Sequence, residues 1–295
     1  MKDHNILDLI GNTPLIRSKK IITNNNISLY LKLEGNNPGG SIKDRPAYYM
    51  IKKALERKEI TKDTKLIEAT SGNTGIALAM IAGAMDLEIE IVMPDDATAE
   101  RVKTMKAYGA KVILTPAADG IEASRDYAEK KVKNEGYFML DQYSNEDNWK
   151  AHYKTTGPEI WNDTDGKITH FVSAMGTTGT IMGISACLKE MNPEVQIIGA
   201  QPTEKGGIPG IRKWPVEYLP KIYQPERIDQ LIEVSKEEAV AMTRRLAEEE
   251  GILAGMSSGG AVAIAEKLAR TLKAGTIVAI ICDRGDRYLS SDLFS

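Results

Sequence analysis

One loop of the sequence has the residue types of an anion-binding site. Residues 173–180 contain Gly176, Gly179 and three threonines, and they lie between an apolar run and a segment of helical periodicity. Glycines let the backbone approach a ligand closely, and unpaired amides at the start of a helix favour negative charge. The loop has neither a lysine nor a GxGxxG pattern, so it is not a nucleoside-triphosphate or dinucleotide loop, and a small phosphate is the predicted ligand. The alternative is an ordinary turn in which the threonines cap the helix.

A second loop, residues 70–75, has the same placement between an apolar run and a helical segment. Its sequence Thr-Ser-Gly-Asn-Thr-Gly offers hydroxyl groups, one amide side chain and glycine-permitted backbone amides, but no charge. These donors predict a site for a carboxylate or another small polar anion. The alternative is that Ser71 or Asn73 caps the helix and that no ligand binds here.

A lysine stands where its amine could react. Residues 35–42 are rich in turn-forming types and lead to Lys43, and Pro46 suits the first turn of the helix that follows. A lysine beside a helix N-terminus has a lowered pKa if it is also desolvated, and Schiff-base chemistry requires an uncharged amine. A solvated surface charge is the alternative for this side chain.

Two further loops offer polar groups. Residues 255–260 have the sequence Gly-Met-Ser-Ser-Gly-Gly between a short predicted strand and a helix, where the serines could contact a ligand or cap the helix. Cys282 follows the last apolar run and is either a site residue or a small buried one. Because loops that follow parallel strands open at the same edge of a sheet, the loops together predict a small phosphorylated cofactor and a small anionic substrate.

The elements that must position these loops alternate along the chain. Apolar runs typical of strands lie at 65–69, 89–93, 111–114, 137–140, 169–174, 195–200 and 276–281. Segments with the period of an amphipathic or buried helix lie at 74–84, 99–108, 119–134, 179–191, 235–250 and 259–272. This alternation predicts two α/β units with parallel sheets, separated near residues 144–153. Residues 202–227 contain five prolines and are predicted to form an irregular surface section.

Composition excludes several classes of function. Lysine and arginine number 38 against 41 aspartates and glutamates, and the resulting net charge of −3 argues against nucleic acid as a partner. The two cysteines, Cys187 and Cys282, give no disulfide framework, and the three scattered histidines argue against a metal site. The longest nearly apolar stretch, residues 76–85, is too short to span a bilayer, so a cytoplasmic protein with no membrane partner is expected.

Three segments occur in a specific order along the chain. They are Asn-Pro-Gly-Gly-Ser-Ile-Lys-Asp-Arg at 37–45, Thr-Ser-Gly-Asn-Thr-Gly at 70–75 and Gly-Thr-Thr-Gly-Thr at 176–180. In this combination the chain resembles the cysteine synthase family of pyridoxal-phosphate enzymes, and the likeness covers nearly its whole length. Residues 208–214 and 281–288 are similar to the B-type branch of that family, whose members also accept thiosulfate.

The resemblance implies an architecture that periodicity alone does not give. The fold would be α/β, of the pyridoxal-phosphate fold type II, with two three-layer αβα domains that each contain a mostly parallel sheet. Residues 36–145 would form a smaller, mobile domain. Residues 1–35 together with 146–295 would form the larger, cofactor-binding domain.

Carried over position by position, the resemblance implies roles for individual side chains. Lys43 would form the Schiff base with pyridoxal 5′-phosphate and act as general base at the substrate Cα. The other cofactor-binding residues would be Asn73, Gly176, Thr177, Thr178, Gly179, Thr180 and Ser257. The residues that bind the substrate carboxylate would be Thr70, Ser71, Gly72, Thr74 and Gln142. Arg212 and Cys282 would widen the pocket and bind the second sulfur group of thiosulfate.

The implied reaction is β-replacement on O-acetyl-L-serine through an α-aminoacrylate, with sulfide giving L-cysteine and thiosulfate giving S-sulfocysteine. An O-phosphoserine-using sulfhydrylase and a cystathionine β-synthase-like enzyme are alternatives within the same class. An inactive binding or regulatory relative and a nicotinamide oxidoreductase are alternatives from other classes. The resemblance further implies a homodimer whose partners are small-molecule substrates, and no association with serine acetyltransferase is expected of a B type.

Overall fold

Two mostly parallel sheets organise the chain in a computed structural model that describes residues 4–203 and 207–295. Residues 4–10 and 43–148 form one compact unit, here called the smaller unit, and Gly11–Ile42 with Trp149–Ser295 form the larger unit. The predicted domain division at 36–145 stays a prediction. Residues 1–3 of the predicted larger domain and 204–206 of the predicted irregular section lie outside the described residues.

The described residues contain ten strands and nine α-helices. The strands are β1 (Leu15–Arg17), β2 (Ile27–Leu33), β3 (Leu66–Ala69), β4 (Ile89–Pro94), β5 (Lys111–Thr115), β6 (Phe138–Met139), β7 (His170–Ala174), β8 (Gln196–Pro202), β9 (Gln230–Val234) and β10 (Gly275–Ile281). The helices are α1 (Asp44–Glu56), α2 (Asn73–Ala84), α3 (Ala99–Ala107), α4 (Gly120–Glu135), α5 (Glu146–Lys154), α6 (Thr156–Asp163), α7 (Gly179–Met191), α8 (Lys236–Glu250) and α9 (Met256–Ala269). The predicted alternation of strands and helices is confirmed.

The smaller unit is built on a four-stranded sheet in the order β5-β4-β3-β6, with all neighbours parallel. Helices α1 and α2 cover one face, where Met50 and Ile76 belong to the same buried cluster as Ile91 of β4. Helix α4 covers the other face, where Ala128 packs with Val92. Because both faces of β4 are covered, its sequence is a continuous buried run and does not alternate.

The larger unit is built on a six-stranded sheet in the order β1-β2-β10-β7-β8-β9, in which only β1 is antiparallel to its neighbour. Ile277 and Ala279 of β10 face the cluster that contains α9. Val278 and Ile280 of the same strand face the cluster that contains α7. The last strand of the chain therefore lies at the centre of this sheet, between β2 and β7.

Some details differ from the prediction. The two units divide between Asn148 and Trp149, within the predicted boundary near 144–153, but this stretch also forms helix α5, where Asn145 Oδ1 accepts the N–H of Asp147 (2.9 Å). Strand β9 was not predicted, because its mostly exposed residues give no apolar run. Helix α9 begins at Met256 and not at 259, and the short strand expected before it is only an isolated bridge from Ala254 to Arg284.

A fully buried lysine ties the larger unit together. Lys32 of β2 has no exposed surface, and its Nζ donates to the carbonyl oxygen of Thr13 at 2.6 Å. The same Nζ pairs with Glu159 at 2.9 Å and with Asp163 at 3.2 Å, both on α6. The lysine thus holds α6 against the end of β2.

We expect Lys32→Met to lower the free energy of unfolding by about 2 kcal/mol or more, because two carboxylates lose their buried cationic partner. Urea denaturation followed by circular dichroism measures this change. Lys53→Met is the matched control, since the Lys53–Glu56 pair is largely solvated and its loss should leave the free energy of unfolding nearly unchanged. Coincident unfolding curves for Lys32→Met and the wild type would contradict the prediction.

Candidate active site

The predicted anion loop joins β7 to α7 in the larger unit. Thr178 occupies the N-cap position of α7 with a φ of +70°, a conformation that is strained for a β-branched residue. Its side chain is buried, and its Oγ1 has no hydrogen-bond partner among the described residues. A buried hydroxyl without a partner is costly in a protein that binds nothing there. A phosphate oxygen would satisfy this hydroxyl, so the residues present fit the phosphate of pyridoxal phosphate.

The segment of residues 210–214 contacts this loop. The indole N–H of Trp214 donates to the carbonyl of Gly176 at 2.8 Å, and the N–H of Arg212 donates to the carbonyl of Met175 at 2.8 Å. A Cβ added to Gly176 would lie 3.0 Å from the carbonyl oxygen of Gly210. The two stretches therefore pass close together, and the absence of a side chain at Gly176 permits it.

The structure brings Ser257 and Cys282 to the start of α9. Ser257 is buried in the first turn of the helix, and no side chain caps that helix. Gly210 has a φ of +88°, and a Cβ on it would lie 3.1 Å from the Cβ of Ser257. Ser258 Oγ accepts the N–H of Cys282 at 2.9 Å. The segment that contacts the anion loop thus also contacts the serine predicted to face the cofactor ring.

Arg212 is exposed, and its guanidinium carbon lies 5.1 Å from the centre of the Trp214 ring. Cys282 is partly buried and packs against two hydrophobic clusters of the larger unit. The cysteine is not in a disulfide. Arg212 follows Gly210, which approaches Ser257, and the Cys282 N–H donates to Ser258 Oγ, so both residues lie near the start of α9. Their predicted role toward thiosulfate stays a prediction.

The larger unit also holds two residues whose position near the loop the sequence did not indicate. His152 is fully buried, with Nδ1 2.9 Å from Thr156 Oγ1 and Nε2 3.4 Å from Thr180 Oγ1. A lone histidine within a polar stretch gives no signal of this kind. Trp214 belongs to a segment whose resemblance was noted, but its indole hydrogen bond depends on tertiary contact alone.

The second predicted loop joins β3 to α2 in the smaller unit. Gly72 is the N-cap residue of α2, so no side chain caps the helix from that position. Thr74 Oγ1 donates to Gln142 Oε1 at 2.8 Å, which brings Gln142, three residues after β6, to this loop. Arg101 of α3 donates to the carbonyl of Ser71 at 3.4 Å, and it adds a positive charge that the loop sequence lacks.

Lys43 immediately precedes α1, as the turn residues before it predict. It is the N-cap residue, it is partly buried, and its carbonyl accepts the N–H of Ala47 at 3.1 Å. The loop that leads to it is held within the larger unit by Asn37, which accepts the N–H of Gly11 at 2.8 Å and donates to Glu34 Oε2 at 2.9 Å. The lysine therefore follows a loop whose backbone is fixed by buried side chains.

In residues 4–203 and 207–295, no group of three or more His, Cys, Asp or Glu side chains could hold a metal ion. In the same part of the chain, no helix combines the length and the apolar character needed to cross a membrane.

Comparisons with known proteins show the family of this chain. A family model described as pyridoxal-phosphate dependent enzyme matches residues 6–283. Cysteine synthase B of Pseudomonas aeruginosa is 55% identical over 289 residues, which cover 98% of this chain and 97% of that protein. The crystal structure of cysteine synthase (OASS) from Entamoeba histolytica matches with a TM-score of 0.94 and 36% identity, over 99% of this chain and 90% of that one.

The crystal structure of an O-acetylserine dependent cystathionine beta-synthase from Helicobacter pylori matches with a TM-score of 0.91 and 35% identity, over 100% of both chains. The predicted fold is thereby confirmed, as is the dependence on pyridoxal phosphate. The family match and the identity of 55% over nearly the full length rule out the nicotinamide oxidoreductase considered from the sequence. The chain belongs to the cysteine synthase family of pyridoxal-phosphate-dependent enzymes.

Proposed function

We propose that this chain forms L-cysteine from O-acetyl-L-serine and sulfide, and S-sulfocysteine from O-acetyl-L-serine and thiosulfate. The observation that carries the proposal is the 55% identity to cysteine synthase B of Pseudomonas aeruginosa over 98% of this chain. The geometry supports it, because the matching motifs form loops at helix starts whose N-cap residues make no side-chain capping hydrogen bond.

The larger unit supplies groups for the cofactor. Residues 176–180 would bind the phosphate with backbone amides, the α7 dipole and the Thr178 hydroxyl. The Ser257 hydroxyl would face the pyridine nitrogen, and unlike a carboxylate it would not hold a proton on that nitrogen. When bound, pyridoxal phosphate withdraws electrons from the substrate Cα and so favours departure of acetate from Cβ.

The smaller unit supplies the reacting amine and groups for the substrate. Lys43 would remove the Cα proton once its amine is released, and Asn73 would donate to the cofactor's ring oxygen. Thr74 engages the Oε1 of Gln142, so the Nε2 hydrogens of that amide are the ones that can donate to a carboxylate. The remaining carboxylate donors would be Thr70, Ser71 and Gly72, whose loop also has the positive charge of Arg101 beside it.

The visible absorption spectrum of the purified protein tests the reaction. We expect an absorption band from bound pyridoxal phosphate that changes on addition of O-acetyl-L-serine and returns on addition of either sulfide or thiosulfate. Lys43→Ala is the control. In this variant, sulfide and thiosulfate should not restore the starting spectrum after addition of O-acetyl-L-serine. Recovery with sulfide alone would contradict thiosulfate use, and a wild-type protein that binds no pyridoxal phosphate would contradict the whole proposal.

A second candidate differs only in the sulfur nucleophile. The Helicobacter pylori structure is named for a cystathionine synthase that depends on O-acetylserine, and it covers this chain completely. Homocysteine added in place of sulfide in the same spectral experiment separates the two candidates. O-phosphoserine in place of O-acetyl-L-serine tests the remaining alternative in the same way. The predicted homodimer and cytoplasmic location stay predictions, and sedimentation velocity measures the first.

The Thr178 hydroxyl gives a prediction about cofactor binding. Thr178→Val keeps a β-branched side chain and breaks no hydrogen bond of the described structure, so the apoprotein should lose less than about 0.5 kcal/mol of stability. Affinity for pyridoxal phosphate should fall about tenfold, because a hydrogen bond to a charged phosphate is lost. Urea unfolding and absorbance titration measure the two quantities.

Thr243→Val is the matched control for this change. Thr243 is also fully buried, but its Oγ1 donates to the carbonyl of Ala239 at 2.7 Å. The control should lose about 1 kcal/mol of stability and keep its affinity for pyridoxal phosphate. Equal cofactor affinity in Thr178→Val and the wild type would contradict the phosphate role.

Arg212 gives a prediction about the sulfur donor. Arg212→Gln should raise the KM for thiosulfate about tenfold and leave the KM for sulfide unchanged, because a guanidinium pairs with the oxygens of the larger anion. Lys213→Gln is the control, since Lys213 is the adjacent exposed cation and is paired with Glu233 at 2.9 Å. Parallel changes with both donors in Arg212→Gln would assign the arginine to structure and not to donor binding.

A further inference from the structure

Glu68 is a buried carboxyl group to which the proposed reaction gives no role. It lies on β3, two residues before Thr70, and only 4% of it is exposed. Its neighbours Ile67 and Ala69 on the strand belong to the cluster on the α4 face of the sheet. A charged residue type at such a position is rare in a sheet covered on both faces, so its contacts need an explanation.

The contact of Glu68 is with the turn that follows β6. Its Oε2 accepts the N–H of Asp141 at 3.1 Å. Asp141 has a φ of +49°, and its carbonyl accepts the N–H groups of Ser144 at 3.1 Å and Asn145 at 2.9 Å. Asn145 in turn donates from Nδ2 to the carbonyl of Leu140 at 2.8 Å. The buried carboxyl therefore fixes the first residue of a tight turn in an unfavourable conformation.

The residue after Asp141 is Gln142, which is also buried. Its carbonyl accepts a hydrogen bond from Asn148 Nδ2 at 2.6 Å, and its side-chain Oε1 accepts one from Thr74 at 2.8 Å. These bonds determine which end of the amide is free to donate. A shift of Asp141 would move Gln142 directly, because the two residues share a peptide bond.

We propose that Glu68 is a positioning residue, whose hydrogen bond to the Asp141 amide holds Gln142 so that its Nε2 hydrogens are presented to the substrate carboxylate. The inference rests on the proposed function, since it assigns Glu68 to the substrate site of that reaction. Glu68 itself touches neither substrate nor cofactor in this role.

The electrostatics of the position give the proposal a pH signature. Burial raises the pKa of Glu68 to about 8 and the negative charge of Asp141 adds to the rise, while the hydrogen bond from the Asp141 N–H and the positive charge of Arg125 on α4 oppose it. Since this pKa in the folded protein lies above the value of 4.5 for a free glutamate, stability falls as pH rises from about 4.5 through 8. Ionisation of Glu68 in the folded protein also places a negative charge behind the carboxylate loop, so the KM for O-acetyl-L-serine should rise as the pH increases through about 8.

Two substitutions separate the hydrogen bond from the charge. Glu68→Gln keeps an oxygen that accepts the Asp141 N–H but cannot ionise, and Glu68→Leu removes the acceptor. Glu90→Leu is the matched control, because Glu90 is equally buried on the neighbouring strand β4. The partners of Glu90 are Lys111 at 2.6 Å and Tyr137 at 2.8 Å, which lie at the amino ends of β5 and β6.

We expect Glu68→Leu to raise the KM for O-acetyl-L-serine about tenfold with kcat changed less than about threefold, while Glu68→Gln and Glu90→Leu stay within about twofold of the wild-type KM at pH 7. Between pH 7 and pH 9 the KM of the wild type should rise about threefold more than the KM of Glu68→Gln. Titration of the substrate's own amine affects both enzymes equally, so it cancels in this comparison. Hydrogen exchange of residues 140–145 should be faster in Glu68→Leu and unchanged in Glu68→Gln.

A KM for Glu68→Leu within twofold of the wild type, or an equal rise in Glu90→Leu, would overturn the proposal. If Glu68→Leu does not fold, the pH dependence of the KM in Glu68→Gln and in the wild type tests the proposal. Identical pH profiles of the two enzymes would overturn it. A wild-type protein that forms no cysteine from O-acetyl-L-serine and sulfide would instead refute the proposed function. Hydrogen exchange would still show in that case whether Glu68 holds the turn.

Discussion

Parallel pairing of the strands is the constraint on which the rest of the structure depends. Parallel neighbours bring the carboxyl ends of successive strands to the same edge of each sheet, and each strand must then connect to a helix whose N-terminus opens at that edge. In the smaller unit this edge receives the loop after β3 and the turn after β6. In the larger unit it receives the loop after β7 and the residues after β10. Polar groups meet there because of the topology and not because they are close in sequence.

The loops themselves could be predicted from sequence, since their residue types and their placement after apolar runs are local properties. The contacts between loops could not. Gln142 was assigned only through the family resemblance, and its bond to Thr74 spans 68 residues of sequence. Glu68 lies within an apolar run, where nothing in the pattern distinguishes a functional carboxyl from a tolerated one. Helix α5 was not predicted because Asn145 and its acidic neighbours form a polar stretch without an apolar period, although Asn145 Oδ1 accepts the N–H of Asp147 at the helix start.

The anion loop shows how stability is traded for binding. Thr178 combines a strained backbone conformation with a buried hydroxyl that no described group satisfies. Either feature alone costs on the order of 1 kcal/mol or more in a protein that binds nothing. Hydrogen bonds from Trp214 and Arg212 hold the loop in this conformation, so the protein incurs the unfavourable free energy of Thr178 on folding and not on binding. A preorganised loop of this kind loses little further entropy when an anion binds.

The central position of β10 has a consequence for how the chain folds as it is synthesised. Strand β2 pairs with β10 over seven residues, from Ile27 to Leu33, and β7 pairs with the other side of β10. Both strands therefore expose an unpaired edge until residues 275–281 have left the ribosome. The smaller unit has all four of its strands between residues 66 and 139, so it can complete its sheet much earlier. During that interval the first half of the larger sheet is open to pairing with other chains, and chaperones that shield strand edges would act on it.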